Sequence, residues 1–413
     1  MLKKSFALKL FNGFSIQRWN DMARSSELTE MDKAGLKMMT VYLLGQIESE
    51  KSKQDLNWEL IIYAGFFDLL KRIALSDIKS SVHHRIRNLY PKEFEKLNLW
   101  VLKQYEDDLK IFDPELFDLF KIYLLDKTFL PQKEAEVLKA AHDYATYREF
   151  ELIKRVNVPS SQLISIENDL NAELQRHTHL KGMGLLLTKQ NLYELLLRLE
   201  QLRFQVRWSH TQRIPRTTVL GHSMLVASLA MLLTRSMPAF KKSGQKGKLV
   251  YSNFFAGLFH DLPESVIRDI VSPVKRATES LPEIVKEIED AIVREELYPL
   301  MAEFDFKDEL MAFTADEFSN RIFNSKEGCL IYDEMKSEDF ILEIAENSKS
   351  GLPIMGRLVN ICDEYAAFLE ADQSIYHGIS SAYLISASEK IKDNLIQLKD
   401  TCNLEIEKLF LEN

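Results

Sequence analysis

The chain repeats itself, and this constrains its fold more than any other feature. Tyr63-Ala64-Gly65-Phe66-Phe67 returns 192 positions later as Phe255-Ala256-Gly257-Leu258-Phe259. Arg18-Trp19 returns 189 positions later as Arg207-Trp208, and at that offset Arg24 meets Arg213, Thr29 meets Thr218 and Leu36 meets Leu225. Past the apolar pentapeptide, Asp77-Ile78, Ser80 and Val82 meet Asp269-Ile270, Ser272 and Val274. Leu130-Pro131 then matches Leu352-Pro353, and Asp143-Tyr144-Ala145-Thr146-Tyr147 resembles Glu364-Tyr365-Ala366-Ala367-Phe368. The matches keep their order while the offset drifts only where loops are expected. That pattern argues for a tandem duplication over two unrelated domains. The expected units are residues 1–182 and 183–413, meeting where His177 to Gly184 interrupts a helical pattern.

The repeated unit reads as helical. Leu36, Met39, Val41, Leu43 and Leu44 give residues 31–50 an apolar helical face, and Leu56 to Leu75 forms a second apolar helix. Residues 76–90 are mixed. A helix starting at Pro91 follows, then helices near 115–126, 131–156 and 160–176, and a Leu-rich one from Leu180 to Phe204. With 14 Gly and 11 Pro in 413 residues there is little material for a many-turned β architecture, and no convincing run of strand alternation. The expected fold is all-α: two pseudo-symmetric bundles of about six helices each, one mimicking the partner of the other as an internal pseudo-dimer.

Composition excludes several function classes. The net charge of −9 argues against a general nucleic-acid backbone binder. Cys329, Cys362 and Cys402 are odd in number and far apart, so neither a disulfide framework nor a CxxC metal site is present. A reducing, cytoplasmic compartment is expected. There is no signal peptide, and no run of about 18 apolar residues to suggest a membrane span.

The second half carries a set of hydrophilic side chains, each interrupting a core-facing run. His222 lies in Gly221-His222-Ser223 at the start of one helix. His260-Asp261 closes the apolar helix from Phe254, and Asp363 sits within Leu358 to Leu369. Neighbouring positions on a helix point about 100° apart, so His260 and Asp261 converge only on something small between them, such as a metal ion. Two imidazoles and two carboxylates suit one divalent ion (Mn, Co, Fe, Ni, Zn or Mg) with positions left open. A His-Asp dipeptide alone is weak evidence, because the chain also contains His142-Asp143.

His222, His260-Asp261 and Asp363 together resemble the H…HD…D pattern of the HD-domain metal-dependent phosphohydrolases. Arg207-Trp208, the first His, and His260-Asp261-x-x-Glu264-x-x-x-x-Asp269-x-x-Ser272-Pro273-Val274-Lys275 resemble one branch in particular, the bacterial 5′-deoxyribonucleotidases of the YfbR type. The resemblance runs from Phe204 to beyond Asp372. It implies that His222, His260, Asp261 and Asp363 bind the metal. Glu264 and Asp269 would orient or deprotonate the attacking water and protonate the leaving oxygen. Arg207, Ser272 and Lys275 would contact phosphate, and Trp208 would pack on sugar or base. The implied substrate is a nucleoside 5′-monophosphate, deoxy or not, or a related phosphoester. The chain departs from the branch at Leu262-Pro263, Arg268, His210 and Arg213.

Trp208 and Arg207 also have a structural reading, since Arg18-Trp19 persists in the other half. There, Lys33 stands for His222, Asp68-Leu69 for His260-Asp261, Arg72 for Glu264 and His142 for Asp363. A protonated lysine and a leucine offer no ligand atom, so the first half is expected to keep the scaffold without the metal. Duplication with decay also fits a non-catalytic or regulatory nucleotide-binding protein, the competing expectation. His83-His84 and His177-x-His179 are expected on solvated surfaces.

Overall fold

The computed structural model describes residues 2–53, 55–76, 78–126, 128–268, 278–332, 339–340, 351–398, 402 and 404–411. A short α1 (Lys4–Phe11) is followed by the long α2 (Glu30–Ser52), α3 (Trp58–Leu75) and α4 (Ser80–Leu89). Next come α5 (Pro91–Lys103), α6 (Pro114–Leu125), α7 (Gln132–Val156) and α8 (Ser161–Gln175). The second half opens with α9 (Lys181–Leu187) and α10 (Asn191–Glu200). It continues with α11 (Val219–Ser236), α12 (Pro238–Lys242), α13 (Lys246–Phe259) and α14 (Glu264–Ile267). Beyond these lie α15 (Leu281–Glu296), α16 (Tyr298–Met301), α17 (Lys307–Ala312), α18 (Gly356–Tyr376) and α19 (Ala382–Gln397). The protein is all-α apart from one small sheet.

Three readings of the sequence are corrected. The mixed stretch before Tyr90 contains α4, an exposed helix whose apolar positions are too few to register as a stripe. The segment from Leu180 to Phe204 is not one helix: Lys189 at φ 56° breaks it, and α9 packs on α2 of the first half. Strands also exist, as β1 (Asn320–Asn324), β2 (Gly328–Ile331) and β3 (Leu352–Met355) form an antiparallel sheet in the order β2-β1-β3. Strands of four or five residues are too short for alternation to be distinguished from a buried helical turn. The sheet sets the entry to α18. Met355 N–H donates to Asn253 Oδ1 at 3.0 Å, tying β3 to α13. A side chain at Gly356 would meet the Ser319 carbonyl at 2.3 Å, so only glycine lets the chain turn there.

Local geometry recurs between the halves. Gln17 pairs with Thr29 and Val206 with Thr218 in single antiparallel bridges. Trp19 and Trp208 both take left-handed backbone, at φ 54° and 58°. The Thr29 hydroxyl caps α2 by accepting from Asp32 N–H at 3.1 Å, and Thr218 caps α11 by accepting from Gly221 N–H at 3.0 Å. Trp19 Nε1 donates to Glu149 at 3.0 Å, and Trp208 Nε1 to Glu370 at 2.8 Å.

One hydrophobic cluster runs through both halves, from Leu2 to Leu409. Within it α2 of the first half crosses α11 of the second. A Cβ on Gly35 would lie 3.0 Å from the Leu220 carbonyl oxygen, so the helices cross nearly backbone to backbone. The Asp32 carboxylate accepts a hydrogen bond from the Thr218 hydroxyl across this crossing. Tyr42 of α2 packs on Phe255 and Phe259 of α13, with ring centroids 5.0 and 5.1 Å away. By length and apolar content α11 is sufficient to cross a membrane, which the sequence reading missed, but it lies 94% buried inside the fold.

Candidate metal centre

Three helices deliver the centre. The Thr218 cap starts α11 and places His222 one turn inside it, with no solvent exposure. α13 terminates at His260, so His260 and Asp261 leave the helix end together. The two helices approach closely because position 257 is glycine: a Cβ there would lie 3.0 Å from the Ala227 Cα. The third helix, α18, carries Asp363.

Potential ligand atoms of His222, His260 and Asp261 all lie within 4.8 Å of one another. His260 Nε2 faces Asp261 Oδ2 at 3.2 Å and Asp363 Oδ1 at 3.9 Å. His222 Nε2 lies 2.7 Å from Asp363 Oδ1. The four residues named from the sequence therefore converge. The far side of the His260 ring is already engaged, since Nδ1–H donates to the Gly257 carbonyl at 2.9 Å. That bond directs Nε2 inward, where neither it nor Asp261 Oδ2 has a well-formed hydrogen bond despite being buried. Such orphaned polar atoms are costly without a partner. Burial opposes a charged His260, but the Asp261 and Asp363 carboxylates raise its pKa to about 10. Burial likewise opposes ionisation of Asp261, but His260 and Arg207 hold its pKa below the usual carboxylate range. The donor set is thus short of positive charge, and a divalent cation fits it.

Glu370, two turns beyond Asp363 on α18, is a residue that sequence reasoning missed. It is fully buried. Its Oε1 faces His222 Nδ1 at 3.3 Å, while Oε2 accepts from Trp208 Nε1 at 2.8 Å and Arg207 Nε at 3.3 Å. Burial alone would raise its pKa, but Arg207, Arg213 and His222 hold it well below the usual range. A carboxylate behind a ligand imidazole fixes its tautomer and aim. The available signal was the repeat: Glu149 stands seven residues after His142, as Glu370 does after Asp363.

Arg207 reaches the centre, with its NH1 3.6 Å from Asp261 Oδ2. Burial works against its charge, and Glu370, Asp363, Asp261 and Glu264 more than offset this. The Trp208 N–H is committed to Glu370, and the Arg213 guanidinium lies 5.3 Å from the indole centroid. Glu264 opens α14 directly after the Asp261 turn, and its backbone carbonyl accepts from Gln205 at 2.7 Å. Asp269, Ser272 and Lys275 lie outside the described residues.

In the first half, Lys33, Asp68, Leu69, Arg72 and His142 line one pocket together with Glu30, Ala34 and Lys37. Among the described residues, no His/Cys/Asp/Glu group with metal-ligand spacing forms there. Asp143 points elsewhere, accepting from His177 Nε2 at 2.9 Å, so the second His-Asp dipeptide does not act as a pair. His177 is buried, contrary to the solvated surface expected for it.

The helical scaffold thus gathers two imidazoles and two carboxylates from three helices. Residues 199–392 match the family model of the HD domain, a domain that is usually a metal-dependent hydrolase. Every element of the candidate centre falls within that match. Neither the curated proteins nor the solved structures yield a significant match.

Proposed function

We propose that the second half is a metal-dependent phosphohydrolase acting on the phosphomonoester of a nucleoside 5′-monophosphate, deoxy or not, or a related nucleotide. We propose further that the chain is a tandem of two HD-like units, the first without metal ligands. The reading rests chiefly on one observation: His222, His260, Asp261 and Asp363 converge, with His260 Nε2 aimed inward at the Asp261 and Asp363 carboxylates. The recurring Arg-Trp-Glu contacts and Thr caps support the tandem arrangement. The nucleotide assignment rests on the resemblance of Arg207-Trp208 and the Glu264 to Lys275 spacing to the deoxyribonucleotidase branch.

A divalent ion in this centre supplies Lewis acidity toward a phosphoryl oxygen and acidifies a coordinated water. The remaining work belongs to the chain. Glu370 holds the His222 ring and, through the same carboxylate, the Arg207 side chain. Arg207, kept charged, presents its remaining N–H groups beside Asp261, where they neutralise charge on the phosphoryl group. Glu264 stands one turn from Asp261 as the proton-handling carboxylate.

The test is metal analysis of protein purified without chelator, a phosphatase screen over a nucleotide panel, and the Asp261→Ala variant. The expected result is about one divalent ion per chain, nucleotide-dependent phosphate release, and loss of both in the variant. Metal-free protein that is inert with every divalent ion would overturn the enzyme reading in favour of a regulatory binder. Activity surviving Asp261→Ala would overturn the site.

A further inference from the structure

The first turns of α2 and α11 differ at one position that matters for the centre. Each helix begins on a threonine cap, Thr29 and Thr218. Three residues on, α2 has Asp32, which completes a capping box. The Thr29 hydroxyl accepts from Asp32 N–H at 3.1 Å and donates to Asp32 Oδ2 at 2.7 Å. Three residues on, α11 has Gly221, which has no side chain to play that part. The next residue is His222.

Asp32 fills the place from the neighbouring helix. Its other oxygen, Oδ1, accepts from the Thr218 hydroxyl. A hydroxyl has one proton and two lone pairs. With its proton committed to Asp32, Thr218 turns a lone pair to Gly221 N–H and accepts from it at 3.0 Å. His222 N–H donates to the Thr218 carbonyl at 2.9 Å, which closes the turn. Glycine at 221 admits the carboxylate: a Cβ there would lie 2.9 Å from Asp32 Oδ1 and 2.6 Å from Phe14 Cε1, both of the first half. Asp32 and His222 have no solvent exposure, so water does not replace a bond lost here. Burial raises the Asp32 pKa, and the Arg203 charge and the two threonine hydroxyls oppose the rise.

We propose that Asp32 is a positioning residue for the metal centre: from the first half it fixes the Thr218 cap, and through that cap the first turn of α11 and the aim of His222. The ring has little room to drift, because Nε2 lies 2.7 Å from Asp363 and Nδ1 3.3 Å from Glu370. A displaced first turn moves the ring against both. Contacts behind a ligand hold it in place and so govern metal affinity. The inference rests on the metal reading of the centre and adds a residue of the first half to it.

The experiment compares variants of the full chain with the parent. Asp32→Asn keeps the volume but replaces one acceptor oxygen with a donor, so the two threonine hydroxyls no longer share a carboxylate. Thr218→Val removes the hydroxyl from the other side and gives the same reading if Asp32→Asn does not fold. Thr218→Ser keeps the hydroxyl. Leu116→Ala opens a cavity in α6, which packs on α3 and α5, and controls for general loss of stability. Amide exchange of the metal-free proteins is followed at Gly221 and His222, and metal-buffered titrations use manganese(II) and cobalt(II). In Asp32→Asn and Thr218→Val, exchange at both amides rises at least about tenfold and metal affinity falls at least about fivefold. Thr218→Ser keeps the parent values, and Leu116→Ala lowers the melting temperature without changing either. Unchanged exchange or unchanged affinity in Asp32→Asn overturns the proposal, as does a Leu116→Ala variant that reproduces both effects. Parent protein that binds neither ion sinks the metal reading instead, and the exchange comparison still decides whether Asp32 holds the start of α11.

Discussion

Glu370 joins three side chains that the sequence presents as unrelated: His222, Arg207 and Trp208. It is a positioning residue, acting on the centre through the His222 ring. Glu370→Gln keeps the volume and one acceptor but removes the charge that favours Nδ1–H on His222. The expected outcome is a metal affinity lower by roughly 10–100-fold. Metal-buffered titration of purified protein checks this, and an unchanged affinity would reduce Glu370 to a loop anchor. Residue types explain what was legible here. His222, His260, Asp261 and Asp363 each broke an apolar run, where a polar side chain needs a reason. Glu370 follows Phe368-Leu369 on a helix whose other acids, such as Glu364, are ordinary, so nothing in its immediate sequence separates a buried carboxylate from a solvated one. Arg207 and Trp208 could not be divided between scaffold and substrate roles by sequence, because the matching pair Arg18-Trp19 holds Glu149 in the first half.

At the scale of elements, the centre depends on how closely α13 lies against α11. A Cβ on Gly257 would meet the backbone of Val226 and Ala227 at 3.0–3.2 Å, whereas one on Gly65 of α3 would meet the flexible Met38 side chain first. Gly257→Ala must push the helices apart, and backbone cannot yield as a thioether can. Despite the better helix propensity of alanine, the variant should lose about 1–3 kcal/mol of stability, while Gly65→Ala loses less. Urea denaturation of the two variants measures the difference, and equal stabilities would remove the close approach as a determinant of the fold. The long helices were legible because α2, α3, α7, α11 and α18 each bury a continuous apolar face. Residues 320–324 and 352–355 were not: each is short, and the reason Gly356 is required, the Ser319 carbonyl at 2.3 Å, is a tertiary contact.

At the scale of the molecule, the sequence matches suggest two units, and the contacts join the two halves of the chain in one hydrophobic cluster. α11 is almost wholly buried, and part of what buries it is α2. Gly35 against Leu220, Asp32 against Thr218, and Tyr42 among Phe255, Phe259 and Phe313 all cross between the halves. Lys33 and His222 lie one residue from the groups of this crossing, Asp32 and Gly221, so the Lys33 pocket and the candidate metal centre lie along one structural seam. Sequence periodicity cannot separate an apolar face meant for its own bundle from one meant for a neighbouring repeat, since both read as core. A fragment of residues 199–413 keeps every described ligand residue but exposes the α2-facing side of α11. Exposed apolar surface of that kind drives association. The fragment is therefore expected to aggregate, or to associate through α11, and to melt well below the full chain. Sedimentation and calorimetry decide the matter: a monomeric fragment with the full chain's melting temperature would mean that the first half is dispensable to the fold of the second.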